Sequence, residues 1–353
     1  MIETLLDTYG EGTVLAAIGA LVGLLFGAAA QHSRFCLRAA TIEVFERHLG
    51  ARMAVWLLVS FAALAVTQAA RMMGILDISE ARQIASRGSL SGAIIGGALF
   101  GAGMILARGC ASRLLVLSGT GNMRALVAGL VVTLVAQASY RGVLAPLRES
   151  IGALWTVEGG DARNLAVLLG LGPIIVLLAA GLGLTASVVL AMRTSVPLSR
   201  GVAAFSVGLA VAMGWIATHA VAVASFEVVP ISSVTFTGPS TDTLMALVAA
   251  PSVPLSFGIG LVPGVFLGSA MAALFSGEIK IERFGAETPM ERYLIGAVLM
   301  GFGAMLAGGC AVGAGVSGGA VLSLTAWVAV AAMWAGALMM QAVLQVGGQK
   351  QPA

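Results

Sequence analysis

Apolar residues run along this chain in long blocks instead of the short apolar-polar alternation of a water-facing fold. The stretches from Leu165 to Met192 and from Val202 to Phe226 contain no Asp, Glu, Lys or Arg. Each is as long as, or longer than, the roughly 20 residues a helix needs to cross a hydrocarbon core. Hydropathy divides the chain into about nine membrane segments, at 13–31, 53–75, 90–107, 123–140, 164–191, 201–225, 244–275, 292–307 and 319–345. Two of them read as broken. The stretch from Leu90 runs into Arg108-Gly109-Cys110, and the stretch from Ile295 runs into Gly308-Gly309-Cys310, each followed by more glycine. Irregular backbone at membrane depth is tolerated only where protein buries it or where it lines a wet cavity, so both are expected to be helices entering pore-lining loops. Pro251, Pro254 and Pro263 are expected to divide the segment at 244–275 into two pieces.

Composition narrows the class. Residues of the apolar set make up 59% of the 353 and charged residues 10%, against about 25% charged in soluble domains. The 47 glycines are about twice the average share. Gly19, Gly23 and Gly27 would share one helix face, the small-residue seam that lets membrane helices approach closely. The predicted fold is therefore an all-α polytopic membrane bundle, one integral membrane domain over 1–353. The opening Met1-Ile2-Glu3-Thr4 lacks a basic signal-peptide start, so the first span is expected to be retained. With the N-terminus placed outside, the inside loops collect Arg34, Arg38, Arg47, Arg52, Arg193, Arg200, Lys280, Arg283 and Arg292. The outside loops collect Arg71, Arg82, Arg87, Arg141, Arg148 and Arg163, and this mild excess sets the expected orientation. A net charge of +3 without a basic run gives nucleic-acid binding no support. The three cysteines, at 36, 110 and 310, offer neither a Cys-x-x-Cys pair nor a zinc-ligand spacing, so no metal and no cofactor are expected.

The cysteines belong to a repeat. At an offset of 200, positions 96–111 share nine identities with 296–311, among them Gly96/Gly296, Gly101/Gly301, Gly103/Gly303, Gly109/Gly309 and Cys110/Cys310. Gly23, Phe26 and Gly27 precede Cys36 at the distances at which Gly97, Phe100 and Gly101 precede Cys110. Two diverged halves are predicted, about 13–140 and 164–345, each carrying an interrupted helix toward the middle, the pattern that marks a transporter site near the bilayer midplane.

Ser33-Arg34-Phe35-Cys36-Leu37-Arg38, Arg108-Gly109-Cys110-Ala111-Ser112-Arg113 and Gly308-Gly309-Cys310-Ala311-Val312-Gly313 resemble, in order and spacing, the three cysteine motifs of the YeeE/YedE family of sulfur-compound transporters. The resemblance extends from about residue 13 to 345. It implies a membrane domain with an hourglass section, uptake of thiosulfate past the three thiols in a bacterial inner membrane, and a small cytoplasmic sulfurtransferase of the TusA type as a partner. Relatives linked to selenium or to other sulfur species leave the cargo open within that class.

Chemistry gives the thiols a reason. A path for a dianion needs shallow wells, since a site that holds tightly does not release. A neutral thiol offers a weak donor and a polarizable sulfur, suited to brief contact with a soft terminal sulfur. A thiolate would repel the anion, so an apolar surrounding with few fixed cations suits the thiols. Arg34, Arg108 and Arg113 sit close in sequence to Cys36 and Cys110, whereas Cys310 has glycines instead and is expected to be the most inert of the three. The predicted substrate-binding set is Cys36, Cys110 and Cys310 with Arg34, Arg108, Arg113, Gly109 and Gly309. For the arginines two readings stand, an electropositive entrance that concentrates anions or interfacial anchors that snorkel to the headgroups. Gln31, His32 and Ser33 are candidate donors to substrate oxygens or caps of the first span. Glu43 and Glu227 are candidate proton-coupling carboxylates or interfacial residues, and His219 is read as packing between helices. A membrane thiol oxidoreductase is the alternative function. It needs two thiols with Cα atoms within about 7 Å, which no sequence-adjacent pair supplies.

Overall fold

The computed structural model describes residues 2–249, 254–284 and 290–346. Its main helices are α1 (Glu11–Ser33), α2 (Leu37–Phe45), α3 (Ala51–Met72), α4 (Leu90–Leu106), α5 (Ala111–Gly119), α6 (Met123–Arg141), α7 (Pro173–Arg193), α8 (Leu198–Ala224), α9 (Thr237–Val248), α10 (Phe257–Ser276), α11 (Met290–Ala307) and α12 (Leu324–Val346), with a π-helix at Ala311–Gly318 between the last two. Strand is confined, among the described residues, to the two-residue antiparallel pair Gly88–Ser89 and Thr156–Val157. Local chemistry sets several starts. Ser89 Oγ accepts the Gly92 N–H at 2.8 Å at the head of α4, and Asn122 Oδ1 accepts the Ala125 N–H at 3.0 Å at the head of α6, both N-caps of the usual kind. Pro173 opens α7, where its missing N–H costs nothing.

Nine stretches among the described residues are long and apolar enough to cross a membrane, and they follow the nine predicted segments with two amendments. The segment placed at 164–191 enters the bundle only at Pro173, because Asn164 caps a separate turn, Leu165–Leu168. The segment placed at 244–275 is indeed two helices, α9 and α10. Pro254 lies in the link between them and Pro251 falls outside the described residues. Pro263, however, sits inside α10 without ending it.

Glycine seams hold the centre. Gly19, Gly23 and Gly27 of α1 face the backbone of Phe257, Leu261 and Val265 in α10, while Gly260, Gly264 and Gly268 of α10 face the backbone of Ala16, Ala20 and Leu24 in α1. The contact is reciprocal, each helix lending its small residues to the other, and no side chain stands between the two backbones. The repeat meets itself in the same way. A methyl group added at Gly96, Gly103, Gly296 or Gly303 would come within 2.5–2.6 Å of a carbonyl oxygen of the facing helix, and the partners are Gly96 with Gly303 and Gly103 with Gly296. Because the start of α4 lies against the end of α11 and vice versa, the two run antiparallel. Gly101 of α4 then packs on Met333 of α12, and Gly301 of α11 on Val132 of α6. The two helices that carry the duplicated motif are thus antiparallel, and each packs its second glycine on a helix of the other's neighbourhood.

Candidate functional site

All three cysteines occupy one kind of junction. A long helix stops, the residue two positions before the cysteine turns left-handed (φ 55° at Arg34, 57° at Arg108, 79° at Gly308), and the cysteine stands extended as N-cap of a short helix. At the second and third junctions the closure is a Schellman turn. The Gly109 N–H donates to Met104 O at 3.1 Å and the Gly309 N–H to Ala304 O at 2.9 Å. Glycine at 308 takes the left-handed conformation without a Cβ penalty, whereas the arginines at 34 and 108 accept a cost of about 1 kcal/mol or more each. A Cβ at Gly309 would stand 3.0 Å from the Ala314 nitrogen, whereas one at Gly109 would meet Leu114 at an ordinary 3.4 Å.

The thiols are free. Cys110 and Cys310 are buried at 1% and 0% exposure, and Cys36 is partly exposed. Cys110 lies within electrostatic reach of both of the others. Its sulfur is 3.2 Å from Ser112 Oγ, and Cys310 Sγ accepts the Gly313 N–H at 3.4 Å. Short helices thus open at each thiol, and their first N–H groups bias the centre toward negative charge. Fixed cations are close to it as well. Arg113 is in reach of Cys36 and Cys110, and Arg38 is in reach of Cys36, Arg108 and Arg292. Arginines thus stand near Cys36 and Cys110, the two thiols with arginine neighbours in the sequence.

Two cavities approach this centre from opposite ends of the same helices. One, about 260 Å³, is bounded by Gln31 and Arg34 at the end of α1, Arg52, Arg113, Asn122 at the head of α6, and Glu278 and Lys280 beyond α10. The other, about 380 Å³, touches Leu15 near the start of α1, Tyr140 near the end of α6 and Phe257 at the start of α10. It is walled by Ser232, Ser233, Thr235 and Thr237, with Arg82, Arg148, Asp242 and the Gly308–Gly309 turn. Leu15 and Gln31 lie 16 residues apart on α1, about 24 Å at 1.5 Å per residue, so the two cavities touch α1 at points most of a roughly 30 Å hydrocarbon core apart. Arg34 and Arg113 line the basic cavity, Gly309 lines the hydroxyl cavity, and Arg108 lies with Arg38 and Arg292 between helix ends.

In the basic cavity Arg34 Nη2 donates to Glu278 Oε1 at 3.1 Å, Gln31 Nε2 donates to Glu278 Oε2 at 2.9 Å, and Arg113 Nη1 donates to Gln31 Oε1 at 3.4 Å. The Arg34 guanidinium holds the Glu278 carboxyl below the usual carboxylate range, with help from Gln31 and His32. The 280–282 segment is stitched to the α5–α6 turn by Lys280 N–H to Thr120 O at 3.1 Å and Glu282 N–H to Gly121 O at 3.2 Å, and Arg124 pairs with Glu282.

Thr235 and Glu278 carry no motif in the sequence. Thr235 comes in on an extended segment after α8, which turns back as α9. Side chains meet part of its backbone, with Ser317 Oγ donating to Val234 O at 2.5 Å and Thr218 Oγ1 to Ser232 O at 2.7 Å, while Phe236 packs on Phe26 with ring centroids 5.2 Å apart and the planes tilted by 53°. Thr235 Oγ1 rests against Gly313, beside Cys310. The available signal was the hydroxyl run Ser232-Ser233, Thr235, Thr237, Ser240-Thr241, Thr243 between apolar blocks. Other candidates resolve into structure. Glu43 accepts N–H groups of Gly50, Arg52 and Met53 at 2.8–3.1 Å, capping α3, and His219 Nε2 accepts the Asp77 N–H at 3.2 Å. Glu227 is exposed.

Residues 32–339 match a protein family described as sulphur transport. The chain belongs to that family. It is similar to the thiosulfate transporter TsuA of Escherichia coli (strain K12), at 27% identity over 347 residues, 88% of this chain and 89% of the relative. It is also similar to the thiosulfate transporter TsuA of Spirochaeta thermophila, at 28% identity over 345 residues, 88% of this chain and 93% of the relative. A sulphur transport family is a family of transporters, not of enzymes, and its match covers all three cysteine junctions and both cavities' linings from His32 onward. The chain is a multi-pass membrane transporter of this sulfur-compound class.

Proposed function

We propose that this protein is a permease for thiosulfate or a related small sulfur-containing anion, which passes Cys310, Cys110 and Cys36 between the two cavities. The observation that carries the reading is the recurrence of one junction, a left-handed break followed by a helix-capping thiol, between cavities that open at opposite ends of α1, α6 and α10. The similarity to two proteins named thiosulfate transporter favours that cargo. Movement is inward, from the hydroxyl cavity to the basic one. Of the basic residues assigned to inside loops, Arg34, Arg52 and Lys280 line the basic cavity, and Arg193 and Arg200 flank the start of α8, whose far end donates from Ser225 Oγ to Glu11 Oε1 at the start of α1. The chain acts as one membrane unit in a bacterial cytoplasmic membrane, delivering the anion to a cytoplasmic acceptor such as a TusA-type sulfurtransferase.

A dianion entering from the hydroxyl cavity meets Thr235 and Cys310, then Cys110, then Cys36, each a weak donor beside the positive end of a short helix. Oxygen atoms take the hydroxyl and N–H donors, and the soft terminal sulfur takes the thiols. Uptake of labelled thiosulfate into proteoliposomes tests this. Cys110→Ser should lower the rate about three- to tenfold, the size of one lost neutral contact, with monodisperse protein recovered. A wild-type rate in Cys110→Ser would remove that thiol from the path.

A further inference from the structure

The donors that meet Glu278 form the set an oxyanion would use. Arg34 Nη2 and Gln31 Nε2 grip the two carboxylate oxygens separately, and Arg113 orients the Gln31 amide from behind through its oxygen. Glu278 is placed there by the end of α10. Gly277 turns left-handed at φ 68°, and the Glu278 N–H closes onto Ala273 O at 2.8 Å, so the side chain swings back over the last turn of α1. Arg34 and Glu278 side chains are 43% and 39% exposed, which leaves the pair open to the cavity and to exchange with an arriving anion. The remaining cavity charges, Arg52, Arg113 and Lys280 against Glu282, leave a net positive excess once Arg34 and Glu278 cancel.

We propose that Gln31, Arg34 and Arg113 form an oxyanion-binding site at the basic end of the path, and that Glu278 occupies it as a tethered competitor. The inference rests on the permease reading above and deepens it. An anion arriving from Cys36 displaces the carboxylate from Arg34 and Gln31, and the carboxylate, returning, displaces the anion outward. The site is thereby kept shallow although it holds guanidinium groups, which alone would retain a dianion. The ligand class is a small tetrahedral oxyanion recognised through its oxygens, so sulfate should bind there as thiosulfate does, whatever the thiols select.

Calorimetric titration of the detergent-purified full chain with sodium sulfate and with sodium thiosulfate, at fixed ionic strength, tests the proposal. Glu278→Gln keeps the side chain's size and removes the competing charge. It should bind both anions about fivefold more tightly, the upper worth of a solvent-exposed ion pair. Arg34→Ala in the Glu278→Gln background should abolish the gain. Unchanged affinity in Glu278→Gln, weaker binding, or a gain that survives without Arg34 would each overturn the proposal. Transport separates this from the permease reading. If wild-type proteoliposomes take up no thiosulfate, the cargo assignment fails, and the Glu278→Gln titration still decides the site. If Cys110→Ser slows uptake while its combination with Glu278→Gln keeps the tighter binding, the oxyanion site stands independently of the thiols.

Discussion

At the scale of single residues, two of the three thiol junctions place an arginine in a left-handed conformation that glycine takes freely, and the third uses glycine. An arginine held there buys a guanidinium at the break, next to the thiol, in return for backbone strain. Thr235 is the uncharged counterpart at the far cavity, with its hydroxyl against Gly313. Thr235→Val removes the hydroxyl and keeps the shape. It should raise the thiosulfate KM about three- to tenfold in proteoliposomes, and Thr235→Ser should restore it. A Val variant with wild-type kinetics would mean that this hydroxyl does not meet the anion. The cysteines, Arg34 and Arg113 were legible in the sequence because they recur or sit in motifs. Glu278 was not, because it acts on residues 244 and 247 positions away along the chain, and only the bend after α10 brings it to them.

At the scale of elements, glycine spacing is the cause of the close helix pairs. Gly264 lies against the backbone of Ala20, so Gly264→Val forces α1 and α10 apart. A cost of about 1–3 kcal/mol follows from overpacking, seen as a lower melting temperature in detergent or loss of the monodisperse peak. Gly181 of α7 is the control: a Cβ there meets nothing within 4 Å, and Gly181→Val should melt with the parent. The face formed by Gly19, Gly23 and Gly27 could be read from their spacing. Its partner could not, since many glycines in the chain have similar neighbours and the choice of α10 depends on reciprocal fit. The extended segment before α9 was illegible for a related reason. Backbone at membrane depth needs outside donors and acceptors. Thr218 supplies both to Ser232 and Ser317 donates to Val234 O, while Ser233 Oγ ties the segment to α8 by donating to Val211 O.

At the scale of the molecule, α4 and α11 run antiparallel into the second and third junctions, and the two cavities open toward opposite ends of the bundle. Polar character follows the same division. Arg34, Arg52, Arg113 and Lys280 surround one cavity, and the other is walled by hydroxyl groups, with Arg82 and Arg148 offset in part by Asp242. The proposed orientation is checked by labelling intact bacteria with a membrane-impermeant maleimide, against the parent chain as background. Glu227→Cys, exposed beyond α8, should react from outside, and Glu46→Cys, exposed after α2, should react only after permeabilisation. The reverse pattern would make the basic cavity the outer one and turn the proposed direction around.

Span count, the retained breaks at the cysteines and the duplicated junction followed from the sequence alone. Hydropathy, glycine and a 200-residue offset are local or periodic properties, and the cost of unsatisfied backbone in hydrocarbon leaves helices as the way to express them. What only the tertiary structure decided was which side chains come together: Glu278 with Arg34 and Gln31, Thr235 with Gly313, and Cys110 within electrostatic reach of both other thiols. Such pairings depend on the direction and depth of each helix, and those are set by the whole bundle's packing, where one close glycine contact determines the position of residues several turns away.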